Sequence, residues 1–363
     1  MTTDLETIGM LRDSLERYAA DNYAFNDRLG MLKESTGFNV KVWSDLAEFG
    51  FLTLRLPEDM GGLDGDATSV GALMEVVGKY LMQEPFLVSG ILSTTLVARL
   101  GDAGQRERLL QGLGSGQMLF SCSLEHADDC LVEKNNRLSG RLDLMMHGDA
   151  AHGFLVTVRN GSGELKLGLV NASASGVHRS PCRLLDGRGA ARVVLDNAEV
   201  ELLNSPANGL SIEEHIELLL DEANVALCAE ACGMIDALVN TTNDYLKVRT
   251  QFGRPLATNQ ALQHRMANLY LLRQEAFALT RAAERAISQP AAERSRIVSG
   301  ARAYISQAAR QVANEAVQMH GGLGITEELN VSHYYRRIML LNNLLGGRDH
   351  HFSRFVESSL GAA

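Results

Sequence analysis

Residues 153–170 read GFLVTVRNGSGELKLGLV. Two runs rich in aliphatic residues, Gly153–Arg159 and Glu164–Val170, flank Asn160-Gly161-Ser162-Gly163. Asn-Gly is a favoured hairpin turn because both residues tolerate positive φ, so the stretch predicts a β hairpin in mid-chain. Glycine use marks how far the sheet extends around it. Nine glycines fall between 119 and 190, whereas only Gly300 falls between 254 and 320. β structure is expected over 118–207, with a further strand at Ala191–Leu195.

Helix is expected on both sides. Before the sheet, Val42–Glu48, Ser69–Leu81 and Ser89–Leu100 carry apolar residues three and four apart. Leu56-Pro57-Glu58-Asp59-Met60-Gly61-Gly62 interrupts them as a loop. After the sheet, Leu262, Met266, Leu269, Leu272, Ala276 and Leu279 form one apolar stripe on a long helix, and Pro255 and Pro290 punctuate the helices. The expected fold is α+β: an N-terminal helical domain over 1–117, a small middle β domain (barrel or sandwich) over 118–207, and a C-terminal four-helix bundle over 208–363.

With 34 basic and 44 acidic residues the net charge is −10, which argues against nucleic acid as the main partner. No run of about 18 apolar residues suggests a membrane span. The charged, amphipathic start MTTDLETIGMLRDSLERY is unlike a secretory signal. The five cysteines, Cys122, Cys130, Cys182, Cys228 and Cys232, fit no zinc spacing. They suit a cytoplasmic protein whose thiols stay reduced, with Cys228 and Cys232 as packing residues on one helix face. His126, His147, His320, His333, His350 and His351 form no metal-binding pattern, and no metal is expected.

Two stretches carry chemistry. In Arg249-Thr250-Gln251-Phe252-Gly253-Arg254-Pro255, followed by Gln260, Arg249 offers a planar cationic fork for phosphate oxygens and Phe252 offers a ring for stacking. The alternative is a helix C-terminus stopped by Gly and Pro. In Gln318-Met319-His320-Gly321-Gly322-Leu323-Gly324, three glycines let backbone N–H groups approach a ligand closely. The alternative is a plain loop between helices.

These stretches, in this order, resemble the acyl-CoA dehydrogenase family over nearly the whole chain. RTQFGRPLATNQ (249–260) is similar to its R-x-x-F-G-x-x-x-x-x-x-Q element, and QMHGGLGITEE (318–328) to its Q-x-x-G-G-x-G element. WSDLAEFGFLTLRLPEDMGG (43–62) resembles its stretch ending in P-E-x-x-G-G, and RVVLDNAEVELL (192–203) the end of its β domain. The resemblance implies a flavoprotein. Such enzymes bind FAD, remove the α-proton of an acyl-CoA with a carboxylate, and pass the β-hydride to the flavin. Their dimers pair into tetramers and share the FAD site. One subunit holds the flavin ring while its neighbour clamps the pyrophosphate and adenine. By position, Arg249, Phe252, Gln260, Gln318, Gly321, Gly322 and Gly324 would supply that neighbour's clamp. The implied electron acceptor is an electron-transferring flavoprotein.

The flavin-ring half departs from the pattern. Leu124 falls where the family has a Thr, within Ser123-Leu124-Glu125-His126-Ala127-Asp128-Asp129, and Leu144-Met145-Met146 align with Trp-Ile-Thr. The sole tryptophan, Trp43, lies in the N-terminal helices. Gly346 stands at the usual place of the catalytic carboxylate, keeping only an N–H that suits a thioester carbonyl, and Arg348 replaces a small hydroxyl residue. Loss of a general base forfeits roughly 10²–10⁴-fold in rate. Some branches carry the base on an earlier helix, at the position of Ala223; Glu222 and Asp221 lie beside it, one residue being about 100° of helix rotation.

Three readings follow. The chain is a divergent subunit that donates half an FAD site to a complete partner, as in heterotetrameric enzymes acting on sterol side chains and other bulky acyl groups. Alternatively it is a self-sufficient enzyme, such as a homotetramer, with Glu222 or Asp221 as base. Thirdly, it is a flavin-free scaffold. An intact donated half beside a degraded resident half favours the first.

Overall fold

The computed structural model describes residues 5–33, 36–124, 131–133, 135–159, 163–251 and 253–360. Helices α1 (Leu5–Asn22), α2 (Phe25–Met31), α3 (Val40–Glu48), α4 (Ala67–Tyr80), α5 (Thr94–Leu100) and α6 (Ala103–Gly114) precede the sheet region. The sequence-predicted helix at Ser89–Leu100 is present but not uniform: Phe86–Ser93 winds in wider π turns before α5 begins. The Leu56–Gly62 loop contains a single 3₁₀ turn, Glu58–Met60. Local chemistry accounts for the helix starts. Asn39 caps α3 through its side chain, and Asp102 and Gln105 form a reciprocal capping box on α6.

The middle region holds two four-stranded sheets packed face to face. β1 (Phe120–Ser123), β4 (Gly153–Arg159), β5 (Leu165–Asn171) and β8 (Glu201–Leu203) form one, with β1 parallel to β4. The expected hairpin pairs Leu155 with Leu169; its turn residues Asn160, Gly161 and Ser162 lie outside the described residues. β2 (Leu131–Glu133), β3 (Arg137–Met146), β7 (Gly189–Glu199) and β6 (Val177–Arg183) form the second, antiparallel sheet. Its β7 contains the expected strand 191–195, with Val193 and Leu195 inward and Arg192 and Val194 outward.

The C-terminal helices are α7 (Ile212–Val248), α8 (Gln260–Ala286), α9 (Ala291–His320), α10 (Asn330–Leu341) and α11 (Gly347–Leu360). Between α7 and α8 lies a two-strand ribbon of β9 (Thr250–Gln251) and β10 (Arg254–Pro255). Ser211 and Glu214 cap α7 reciprocally. Pro290 precedes α9 in extended conformation, as its fixed φ favours. The α8 stripe faces inward but unevenly: Leu269 and Ala276 are buried, while Leu262, Met266, Leu272 and Leu279 are half-buried. No helix among the described residues is long and apolar enough to cross a membrane.

By contact the chain forms two compact units. One contains Asn26–Asp66 and Gln83–Ala223, and with them both sheets. The other contains α1, Ala67–Met82 and everything from Asn224 onward. In the second unit, α4 and α7 meet backbone to backbone. A Cβ on Gly78 would collide with the carbonyl of Glu230, and a Cβ on Gly233 with that of Glu75. The approach frees α7 to pair Glu230 with the buried Arg337 of α10, 2.7 Å away; Arg337 also donates to the Met82 carbonyl at 3.0 Å. Arg281 of α8 bonds Glu75 and Glu284 in the same unit. Cys228 and Cys232 are packing residues, as expected. Both are buried, Cys232 lies 3.1 Å from the Thr280 hydroxyl, and burial pushes the Cys228 thiol up to about 12. Gly233→Ala is expected to lower stability by about 3 kcal/mol through overpacking against fixed backbone, read as a lower unfolding midpoint.

Candidate functional site

At the C-terminal end of α7, Arg249 is exposed and its carbonyl accepts from the Leu256 N–H, which closes the ribbon over it. Among the described residues Arg249 has no ion-pair partner. Gly253 turns the ribbon at φ +77°. Asn259 caps α8, leaving Gln260 exposed in its first turn. Phe252 lies outside the described residues.

At the C-terminal end of α9, Gln318 is exposed, and Gly321, at φ +63° and ψ −142°, breaks the helix into a short 3₁₀ segment. Space around Gly321 and Gly322 is open: a Cβ on either would meet nothing within 4 Å. Gly324 differs, since a Cβ there would press on the Val317 carbonyl. Its role is therefore packing of the turn, with Gly321 and Gly322 offering the approachable backbone.

Tyr245 and His320 bring the two stretches to one end of the second unit. Their rings stack at 4.3 Å and 25°, and the Tyr245 hydroxyl donates to the His320 carbonyl at 3.5 Å. Burial lowers the His320 pKa, and Nδ1 lies 2.8 Å from the Ala316 carbonyl, which fixes a neutral ring donating from Nδ1. Sequence reasoning missed this pair. The usable signal was spacing, since Tyr245 lies four residues before Arg249, whose N–H donates to its carbonyl at the helix end. The end also exposes apolar side chains, with Val248 77% and Ile325 73% accessible. An exposed cation, open glycine backbone and bare apolar residues together suit a phosphate-bearing ligand and a covering surface.

The carboxylates near Ala223 are placed differently. α7 is regular from Ile212 to Val248, so Glu222 and Ala223 keep ordinary helical register. Glu222, 9% exposed, accepts at Oε1 from Arg55 (2.6 Å) and Arg99 (2.9 Å). Among the described residues, Oε2 has no hydrogen-bond partner. Asp221 is fully buried. A cavity of about 450 Å³ in the first unit is lined by Arg55, Arg99 and Arg106 together with Asp64 and Asp66. The arginines come from distant parts of the sequence, and no local motif announces them.

At Gly346 φ is +91°, and a Cβ there would run into the His350 ring. The positive φ suits glycine, and residue 346 carries no carboxylate. Arg348 pairs with Asp349 and lies over Phe352. In the sheets, Leu124 is buried, and Leu144 is turned outward by a register irregularity between Leu142 and Met145. Residues 125–129 lie outside the described residues. Among the described residues no cluster of His, Cys, Asp and Glu could hold a metal.

Residues 6–117 match the family model "Acyl-CoA dehydrogenase, N-terminal domain" and residues 215–357 match "Acyl-CoA dehydrogenase, C-terminal domain". The chain belongs to the acyl-CoA dehydrogenase family. It is 27% identical over 332 residues to the acyl-CoA dehydrogenase IpdE2 of Mycobacterium tuberculosis, covering 90% of this chain and 89% of that one. In fold it is similar to the ChsE4-ChsE5 complex from Mycobacterium tuberculosis, with TM-score 0.89, 23% identity and 99% of each chain covered. It is similar also to a glutaryl-CoA dehydrogenase from Mycobacterium smegmatis in complex with FADH2, with TM-score 0.87, 19% identity, and 99% of this chain and 95% of that one covered.

Two outcomes test these placements. Glu222→Gln leaves two half-buried guanidiniums without a counter-charge and is expected to lower unfolding free energy by about 3 kcal/mol in urea titration. His351 is buried with Nε2 2.8 Å from the Leu345 carbonyl, and burial holds its pKa at about 4. The folded value lies below the ordinary 6.5, so the neutral ring's contribution is complete above about pH 6.5 and is lost as pH falls towards 4. The loss amounts to about 3 kcal/mol. His351→Gln should flatten that acid limb of a stability-against-pH curve.

Proposed function

We propose that this chain is a divergent subunit of an FAD-dependent acyl-CoA dehydrogenase that catalyses α,β-desaturation of an acyl-CoA thioester. It would donate Arg249, Phe252, Gln260, Gln318, Gly321 and Gly322 to the FAD of a homologous catalytic partner in a heterotetramer, with Gly324 shaping their turn by packing. One observation carries the reading: the donated half is open and exposed at one end of the second unit, while the usual place of the carboxylate holds Gly346. The residues fit the group. Arg249, without a carboxylate partner among the described residues, suits a diphosphate, and the Gly321–Gly322 backbone leaves space for it. FAD bound there would supply a hydride acceptor. Arg249 and the glycine N–H groups would hold the diphosphate, and Gln260 and Gln318 would orient the cofactor by hydrogen bonds.

The relatives support this reading. The ChsE4-ChsE5 structure is a complex of two chain types, and the glutaryl-CoA dehydrogenase holds FADH2. A cytoplasmic location and an electron-transferring flavoprotein as acceptor belong to the same proposal. A second reading, a self-sufficient enzyme, draws on Glu222 Oε2, which is buried and has no hydrogen-bond partner among the described residues. In that reading Glu222, or Asp221, is the base.

Flavin stoichiometry separates the two. The chain purified alone is expected to carry no stoichiometric FAD, and the complex with its partner less than one FAD per chain. One FAD per isolated chain, bleached by acyl-CoA and no longer bleached in Glu222→Gln, would establish the second reading instead. Arg249→Ala in the complex should weaken FAD retention about ten-fold or more, the scale of one charge-assisted contact of roughly 1.5–3 kcal/mol.

A further inference from the structure

The cavity of about 450 Å³ in the first unit shares no residue with the stretches at 249–260 and 318–324. Its volume lies in the range of small-molecule sites, about 300–1,000 Å³. Three arginines line it, each from a different part of the fold: Arg55 from the segment before the Glu58–Met60 turn, Arg99 from α5 and Arg106 from α6. Pro57, Met60 and Ala98 supply apolar wall. Glu222 serves two of the three cations with a single oxygen. Its Oε1 accepts from Arg55 Nη2 at 2.6 Å and from Arg99 Nη2 at 2.9 Å. Arg55 spends Nη1 on the Gly65 carbonyl, also at 2.6 Å. Arg99 Nη1 is buried and has no hydrogen-bond partner among the described residues. Arg106 is half-buried and donates from Nε to the Gly101 carbonyl at 2.8 Å; among the described residues it has no ion-pair partner. Asp64 and Asp66 also line the cavity, the first exposed and the second half-buried, and neither is ion-paired with these arginines.

Within ion-pair distance, three guanidiniums are thus met by one carboxylate, a local surplus of two positive charges. Asp64 stands in water, which screens its charge. Guanidiniums that are held in place and keep unspent N–H donors are receptors for oxyanions. The arrangement chooses among such anions. A carboxylate is planar, and its two oxygens match the fork of one arginine. A phosphate monoester presents three terminal oxygens in a tetrahedral array, so it accepts from arginines on separate elements. It carries about −1.5 to −2 charge near neutral pH, which matches the surplus. We propose that this cavity is a binding site for a small phosphate monoester, with the phosphate between Arg99 and Arg106 and the organic part against Pro57, Met60 and Ala98. The inference goes beyond the FAD-donating reading and does not depend on it, because every residue used lies in this chain's first unit.

The test is calorimetry on the full-length chain at pH 7.5, in phosphate-free buffer of low ionic strength. Phenyl phosphate is the probe, and phenol, which lacks the anion, is its control. Phenyl phosphate is expected to bind once per chain, and phenol not measurably. Arg99→Gln and Arg106→Gln should each weaken phenyl phosphate about ten-fold or more, the scale of one charge-assisted contact. Arg106→Gln breaks no ion pair and stands in if Arg99→Gln does not fold. Arg108 is exposed on α6 outside this cavity, and Arg108→Gln should leave binding within about two-fold. Phenyl phosphate that fails to bind at about 1 mM would overturn the site. So would equal weakening by Arg108→Gln and Arg106→Gln, which marks general surface charge. Benzoate or inorganic phosphate binding as tightly as phenyl phosphate would overturn the choice of a phosphate ester. Adenosine 3′,5′-bisphosphate, the phosphate end of coenzyme A, is the last probe. Its binding where phenyl phosphate does not bind would assign the arginines to the acyl carrier and overturn a separate small-ester site.

Discussion

The backbone contact between α4 and α7 at Gly78 and Gly233 is the constraint on which the second unit turns. Because neither residue has a side chain, each helix lies against a carbonyl of the other. At that spacing the Glu230 side chain meets Arg337 in the interior, and Arg337 in turn holds the Met82 carbonyl. α10 is thereby fixed at one end of its course. In the turn that follows it, Arg302 holds the Leu341 carbonyl and His351 the Leu345 carbonyl. Each of these buried charges has its hydrogen bonds, as low-dielectric surroundings demand.

The two halves of the chemistry stand in contrasting environments. Arg249, Gln260, Gln318 and the Gly321–Gly322 backbone are exposed at one end of the bundle, beside bare apolar residues. Glu222 is drawn into an ion pair with two arginines, and Gly346 carries no side chain. A surface meant for another molecule stays open and polar with unspent charge, whereas a carboxylate committed to the fold is surrounded. This contrast, more than the presence or absence of any one residue, underlies the reading of a donated half-site.

Much of this was legible in the sequence. The hairpin around residue 160, the strand near 193 and the glycine-poor helices all follow from local periodicity and turn chemistry. So did the two stretches at 249–260 and 318–324, because each is a contiguous run of residues at a helix end. The π turns at Phe86–Ser93 were not legible, since apolar spacing looks alike in α and π windings. Nor were the partners of Glu222: Arg55 and Arg99 lie 167 and 123 residues away in sequence.

The sequence by itself determined the element order, the turn positions and the family, because each depends on residues adjacent along the chain. Only the tertiary structure decided which carboxylate is tied up, which arginine is buried, and which glycine has room above it. Those properties depend on burial and on neighbours brought together by packing. Two groups of the same chemistry, Arg249 and Arg302, read alike as letters. They differ because water reaches the first and is excluded from the second.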